Sequence, residues 1–100
     1  MERRVVITGL GVVSPVGTGV EKFWNSLLEG KSGIAPITRF DAAAFPVKIA
    51  GEVKDFDSAL AGDKKTIRHM DRNAQFAVAA ARMAVEDAKL DMEKENPDMA

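Results

Sequence analysis

The chain has 100 residues, of which 46% are hydrophobic and 29% are charged, a composition typical of a small globular unit rather than of a disordered chain. Its net charge of -1 argues against general binding to nucleic acid, which normally needs a basic excess. No apolar run approaches the roughly 20 residues of a membrane-spanning helix, and the N-terminus lacks the pattern of a secretory signal. We therefore expect a soluble, cytoplasmic protein.

The first stretch of the chain has the pattern of a strand that is buried on both faces. Residues 5–7 and 10–13 are apolar with almost no alternation. Gly9 and Gly11 interrupt this run with residues that lack a side chain, as expected where another backbone or a ligand comes close. Pro15 cannot donate a hydrogen bond to a neighbouring strand, so the strand should end before it and a turn should follow.

A short amphipathic helix is predicted next. Thr18 and Glu21 have the spacing of a capping box, in which each side chain satisfies a free backbone N–H at the start of the helix. Gly30 stands where a residue with left-handed backbone would end it. The apolar residues of this segment fall on one helical face: Val20, Phe23, Trp24, Leu27 and Leu28.

The middle of the chain reads as a long connection followed by a short strand. Two prolines punctuate residues 34–47, which predicts irregular structure there. Phe40 and Phe45 are interpreted as anchors that hold this connection to the core. Alternation over residues 47–53 predicts a strand, with a break at Gly51.

A basic cluster precedes the last helix. If residues 65–71 are helical, Lys65, Arg68, His69 and Arg72 share one face. Most short charge clusters of this kind are simply solvated helix surfaces.

The strongest helical pattern covers residues 73–90, which contain no glycine or proline. Seven alanines give this helix a slim surface that could lie close against a sheet or another helix. The order strand, helix, strand, helix indicates an α/β unit with a mainly parallel sheet. Two strands cover the apolar faces poorly, so a larger sheet is implied.

A dinucleotide-binding site is one alternative that the first stretch raises. Gly9 and Gly11 follow a predicted strand, but Ser14 stands where the fingerprint has glycine or alanine. The helix also begins only at about Thr18, whereas the fingerprint needs helical N–H groups beside the pyrophosphate. Glycines that permit close packing explain the pattern better.

The chain contains no cysteine and one histidine, His69. Disulfides and thiolate zinc sites are therefore excluded within these residues, and a histidine-rich metal site cannot be built. Nothing in the sequence identifies His69 as a catalytic residue.

Several motifs together resemble the N-terminus of the β-ketoacyl-[acyl-carrier-protein] synthases, in particular the type II elongating enzymes of fatty-acid synthesis. The resemblance runs from Arg3 to about Leu90. The motifs are, in chain order, residues 3–11, residues 14–17, Trp24 with Leu28, residues 30–34, residues 40–41, residues 50–53, and Met70 with Asp71 before the alanine-rich helix.

The resemblance implies the fold and the activity of a larger enzyme. Residues 1–100 would be the incomplete N-terminal part of a thiolase-like condensing-enzyme domain, the strand-helix-strand-helix portion of a layered α/β/α/β/α architecture. The intact enzyme, expected to be a homodimer, would condense malonyl-carrier with an enzyme-bound acyl group, without a nucleotide or metal. Its nucleophilic cysteine and two catalytic histidines cannot be assigned to any residue of this chain.

The resemblance also suggests a role for part of the basic cluster. Condensing enzymes receive their substrates on acyl carrier protein, a small acidic partner. Lys65 and Arg68 occupy the positions that match basic residues docking this partner, while His69 stands where the family often has lysine. Charge complementarity of this kind mainly raises the rate of association.

A different class of function is also compatible with this N-terminus. A non-catalytic synthase-like partner, such as a chain-length factor, keeps the fold but lacks the nucleophile. Only residues outside this chain would distinguish it from the enzyme.

Overall fold

The computed structural model describes residues 3–91, which form two compact units. One unit is Val12–Ser58, and the other consists of residues 3–11 together with residues 59–91. A short 3₁₀ turn, Ser58–Leu60, lies at the boundary between them in sequence. The two units are described separately below.

The Val12–Ser58 unit begins with a tight hairpin. Strand β1, Val13–Ser14, pairs antiparallel with β2, Gly17–Thr18, so that Val13 faces Thr18. The predicted capping box is wrong, because Thr18 belongs to this ladder and its buried hydroxyl has no hydrogen-bond partner. Gly19 takes the N-cap position of the following helix instead and provides no side-chain cap.

Helix α1, Val20–Leu28, ends as its sequence predicts. Gly30 has a left-handed φ of 71°, a conformation that costs glycine nothing. Its N–H donates to the Leu27 carbonyl at 3.1 Å, and the Lys31 N–H donates to the Ser26 carbonyl at 3.0 Å. These two bonds form a Schellman motif, which satisfies carbonyls at the end of the helix.

The apolar face of α1 is exposed. Trp24 is 57% exposed and Leu28 is 69% exposed, although their spacing is that of a core-facing stripe. Polar contacts nevertheless fix the helix locally, since the Ser26 hydroxyl donates to the Val16 carbonyl at 2.7 Å. The exposed stripe is thus a face available for packing.

A second hairpin follows where irregular structure was expected. Strand β3, Ile34–Pro36, pairs antiparallel with β4, Ile49–Gly51, with Ala35 opposite Ala50. The prediction of strand structure near Gly51 is confirmed, but that of irregular structure at the start of residues 34–47 is wrong. The expected parallel sheet is also absent from residues 3–91, where both strand pairs are antiparallel because each is closed by a local connection.

The connection between β3 and β4 folds back on its own hairpin. The Glu52 carboxylate accepts hydrogen bonds from the Thr38 N–H at 3.0 Å, the Thr38 hydroxyl at 2.9 Å and the Arg39 N–H at 3.1 Å. Phe40 and Phe45 meet edge to face, with their ring centroids 5.6 Å apart. Both residues remain more than half exposed, so their predicted role as core anchors is wrong.

The other unit contains helix α2, Lys64–Ile67, and helix α3, Arg72–Ala88. Helix α3 confirms the predicted long helix, and its N-cap is Asp71, whose carboxylate accepts a hydrogen bond from the Ala74 N–H at 2.8 Å. It ends at Lys89, which has a left-handed φ of 56°. Ala79 of α3 is completely buried.

Residues 9–11 pack against the backbone of α3. A Cβ on Gly9 would lie 2.6 Å from the Ala88 nitrogen, and one on Gly11 would lie 2.9 Å from the Ala84 nitrogen. Asp87 of α3 fixes the same segment by accepting from the Leu10 N–H at 3.0 Å. The predicted close backbone approach at these glycines is confirmed.

The prediction that residues 5–13 form one buried strand is wrong for the described part of the chain. Val5 is 93% exposed and Ile7 is 82% exposed, and regular strand structure begins only at Val13. A strand is stabilised by neighbours that pair with its backbone, and residues 3–91 supply none for residues 5–7.

Candidate functional site

Four exposed side chains around α2 form the α2 basic surface, which we define as Lys64, Lys65, Arg68 and His69. Lys65 lies within the helix and Arg68 follows its last residue. The structure therefore places both sequence-predicted site residues in one short segment with their side chains accessible.

Asp63 determines where α2 begins. Its backbone is extended, and its carboxylate accepts a hydrogen bond from the Thr66 N–H at 2.8 Å. This bond, the Thr66 hydroxyl and the Lys65 N–H hold the pKa of Asp63 below its usual value of 3.8, with desolvation opposing them. The cap remains charged at neutral pH and stabilises the first turn.

The helical turn continues beyond the last residue of α2. The Arg68 N–H donates to the Lys64 carbonyl at 3.2 Å, and the His69 N–H donates to the Thr66 carbonyl at 3.3 Å. Residues three and four apart on such a turn are neighbours on one side. Lys65, Arg68 and His69 are therefore presented together.

Arg72 is not part of this surface. It is the first residue of α3, and its guanidinium carbon lies 4.9 Å from the centre of the Phe76 ring. The prediction that four basic residues share one helical face is wrong for Arg72, because Asp71 caps a new helix. Aspartate is a favoured N-cap residue, so Asp63 and Asp71 are signals from which the two separate helices could have been predicted.

The local charge differs from that of the whole chain. Residues 63–72 carry four lysine or arginine cations and two aspartates, a net charge of +2, whereas the chain as a whole carries -1. Both aspartates serve as helix caps. The arrangement suits reversible binding of an acidic surface.

A cavity of about 350 Å³ lies within the Val12–Ser58 unit, between the β1–β2 turn and α1. Its charged lining residues have both signs: Lys22, Glu29, Lys31, Lys54 and Asp55. It contains no histidine, and residues 3–91 hold no cluster of His, Asp or Glu side chains suited to a metal ion. Nothing in this cavity indicates acid–base or metal chemistry.

The geometry does not fit the dinucleotide alternative. The space beside Gly9 and Gly11 is filled by the backbone of α3, so it is closed to a pyrophosphate. Helix α1 begins at Val20, well beyond these glycines. The glycines serve packing.

None of the helices in residues 3–91 combines the length and apolar character needed to cross a bilayer.

Comparison with known sequences identifies the relatives of the chain. Residues 2–100 match the model of the β-ketoacyl synthase N-terminal domain. The chain is 58% identical over 95 residues to 3-oxoacyl-[acyl-carrier-protein] synthase 2 of Coxiella burnetii, covering 95% of this chain and 23% of that protein. The synthase of the same name from Synechocystis sp. is 46% identical over 97 residues, covering 97% of this chain and 23% of the relative. The chain thus spans about a quarter of the length of these relatives.

Solved structures give the same result for the fold. The ishigamide ketosynthase/chain length factor superposes with a TM-score of 0.82 at 48% identity, over 93% of this chain and 23% of that one. A second solved structure is that of a type II PKS acyl-carrier protein in complex with its ketosynthase bound to the hexaketide. It superposes with a TM-score of 0.69 at 33% identity, over 96% of this chain and 21% of that one. The architecture is a partial α/β thiolase-like fold, as the sequence resemblance implies. The chain, whose residues 2–100 match the model of the N-terminal domain, therefore belongs to the β-ketoacyl synthase family.

Proposed function

We propose that residues 1–100 are the incomplete N-terminal part of the condensing domain of a 3-oxoacyl-[acyl-carrier-protein] synthase. The 58% identity to a synthase of that name carries this proposal. The intact protein would be an acyltransferase of fatty-acid elongation, acting as a cytoplasmic homodimer and needing no nucleotide or metal.

The reaction would be a decarboxylative Claisen condensation. A cysteine holds the growing acyl chain as a thioester, and malonyl-carrier loses carbon dioxide to give an enolate. The enolate carbon attacks the thioester carbonyl, a C–C bond forms, and the cysteine thiolate leaves. Two histidines would assist decarboxylation and stabilise the enolate. Residues 1–100 contain no cysteine and one histidine, so the cysteine and at least one of the two histidines would lie outside them.

Labelling of the intact protein with a cysteine-directed acyl mimic tests the catalytic proposal. We expect one rapidly modified cysteine, identified by peptide mapping, and loss of condensation activity in step with its modification. Every labelled peptide must lie outside residues 1–100, which have no cysteine. A protein with no reactive cysteine would instead be a non-catalytic partner, the alternative suggested by similarity to a ketosynthase/chain length factor structure.

Within this enzyme, we assign the docking of acyl carrier protein to Lys65 and Arg68. Both side chains are exposed on a segment whose net charge is positive. A related structure at 33% identity contains a ketosynthase in complex with its acyl-carrier protein. The two cations would steer the acidic partner toward the enzyme and orient it, which affects association more than chemistry.

Charge reversal tests this assignment. The double variant Lys65→Glu/Arg68→Glu should raise the KM for acyl-carrier substrates at least about tenfold, with a much smaller change in kcat, because like charges replace complementary ones. The matched control is Lys22→Glu/Lys31→Glu, which makes the same charge change at exposed positions of the other unit. Equal KM values for the two double variants would contradict the assignment.

A further inference from the structure

His69 is the only histidine of the chain, and the function proposed above leaves it without a role. Its side chain is exposed on the turn that follows α2. It stands four residues after Lys65 and next to Arg68, and its N–H bond to the Thr66 carbonyl continues the helical turn. It therefore belongs to the same surface as the two cations assigned to docking.

The charged groups of the neighbouring elements are mostly cationic. Lys64, Lys65 and Arg68 come from α2 and its end, and Arg72 of α3 is placed over the Phe76 ring. The carboxylates of the segment are Asp63 and Asp71, and each accepts a hydrogen bond from a helix N-terminus. An acidic partner would thus supply new carboxylates to this surface.

We propose that His69 makes the docking of the acidic carrier protein pH-dependent, because protonation of its imidazole adds a cation beside Lys65 and Arg68. This inference rests on the proposed docking function and concerns the regulation of that same surface. It predicts tighter binding as the solution becomes mildly acidic.

The size of the effect follows from charge. Histidine is the side chain that ordinarily changes charge between about pH 5 and pH 8. Its protonation raises the net charge of residues 63–72 from the +2 given by their lysines, arginines and aspartates to +3. Exposed carboxylates of the partner stay ionised over this range, since their ordinary pKa values are about 4. One additional exposed charge pair should strengthen binding by roughly two- to fivefold.

Protonation of His69 and binding of the carrier protein must affect each other reciprocally, so proton uptake on binding can be measured as well as affinity. If protonation of His69 favours the complex, formation of the complex must favour protonation of His69. Binding in mildly acidic solution should therefore take up a fraction of a proton. Titration calorimetry in two buffers of different ionisation enthalpy measures this uptake directly.

Two substitutions of His69, one neutral and one permanently cationic, test this inference. Affinity of the intact protein for acyl carrier protein is measured at about pH 7.5 and about pH 5.8, at low salt, for the wild type, His69→Gln and His69→Lys. The wild type should bind roughly two- to fivefold more tightly at the lower pH. His69→Gln should bind weakly and His69→Lys tightly at both values, and neither should take up a proton on binding.

The outcomes separate this inference from the proposal on which it rests. A pH gain in His69→Gln equal to that of the wild type would overturn the role of His69 while leaving the docking surface intact. Affinity that is unchanged in Lys65→Glu/Arg68→Glu would overturn the docking surface itself. Increased ionic strength should reduce the wild-type pH gain, because exposed charges are screened.

Discussion

Glu52 shows how a single side chain can order a loop. Its carboxylate accepts hydrogen bonds from three donors of Thr38 and Arg39, which lie 14 and 13 residues earlier in the chain. The Thr38 N–H is the main cause that lowers the pKa of Glu52 from its usual value of 4.5, whereas desolvation raises it. The Thr38 hydroxyl, the Arg39 N–H and Lys54 lower this pKa further. The ionised form is therefore favoured by the folded structure.

This lowered pKa predicts a defined pH dependence of stability. The contribution of Glu52 should be complete above the unfolded pKa of about 4.5 and should be lost as pH falls through the lower folded value. Glu52→Gln should reduce the urea midpoint of the intact protein at about pH 6.5, and the difference from wild type should shrink at about pH 3.5.

The control for this prediction is Glu21→Gln, because Glu21 is an exposed residue of α1. Its effect on the urea midpoint should be small at both pH values. If the difference in urea midpoint between Glu52→Gln and wild type stays constant with pH, the hydrogen bonds, and not the charge, supply the stabilisation.

Two helices end at a residue with left-handed backbone, and the sequence indicates only one of these two ends. Gly30 could be predicted to end α1 because glycine is the residue that adopts this conformation without cost. Lys89 ends α3 in the same way, with a φ of 56°. Lysine carries no signal for that conformation, so the end of α3 could be placed only approximately from the sequence.

At the scale of elements, helical periodicity was the reliable signal. Helices α1 and α3 lie where the apolar spacing and the alanine-rich run predict them. Strand β3 could not be predicted, because three residues ending in a proline contain too little alternation to indicate a strand. The sequence predicts Lys65 and Arg68 of the candidate site on a helical segment, as observed, but its basic spacing does not indicate the break before Arg72.

The contact between Gly11 and α3 yields a prediction at this scale. A Cβ at position 11 would meet the carbonyl of Ala80 and the nitrogen of Ala84, which are backbone atoms of a helix and cannot move independently. Gly11→Ala should therefore reduce the free energy of unfolding by about 1–3 kcal/mol in urea denaturation of the intact protein.

Two further variants identify the cause of that loss. Lys22→Ala, at an exposed position of α1, should change stability by no more than about 0.5 kcal/mol. Combining Gly11→Ala with Ala80→Gly should give no rescue, since the obstacle is backbone and not the alanine side chain. Recovery of stability in that double variant would show that the helix backbone is not the obstacle.

At the scale of the whole molecule, the distribution of apolar surface is unusual. The buried hydrophobic residues among residues 3–91 are the small ones, Ala42, Ala61 and Ala79, whereas Val5, Ile7 and Leu28 are largely exposed. Large exposed apolar patches mark surfaces that bind other protein. The matched region spans 23% of the length of the Coxiella burnetii relative.

This distribution explains which global features could be predicted. An apolar run forms a buried strand only where neighbouring strands pair with it, and residues 3–91 supply none for residues 5–7, so the apolar pattern by itself could not predict their exposure. The thiolase-like class followed from motifs spread over residues 3–90. The exposure of the α2 basic surface could be predicted because exposed charge depends little on distant packing.

The contact of residues 9–11 with α3 also fixes the alignment of the two elements. Two residues of extended chain span about 6.7 Å, and four residues of helix span about 6 Å. Gly9 contacts Ala84 and Ala88, while Gly11 contacts Ala80 and Ala84. The two-residue spacing of the glycines therefore nearly matches the four-residue spacing of the alanines along the helix. Because a mismatch of about 0.7 Å accumulates at each step, the coincidence cannot extend far. Insertion or deletion of one residue between the glycines would bring a side chain against the helix, so this part of the chain tolerates no change in length.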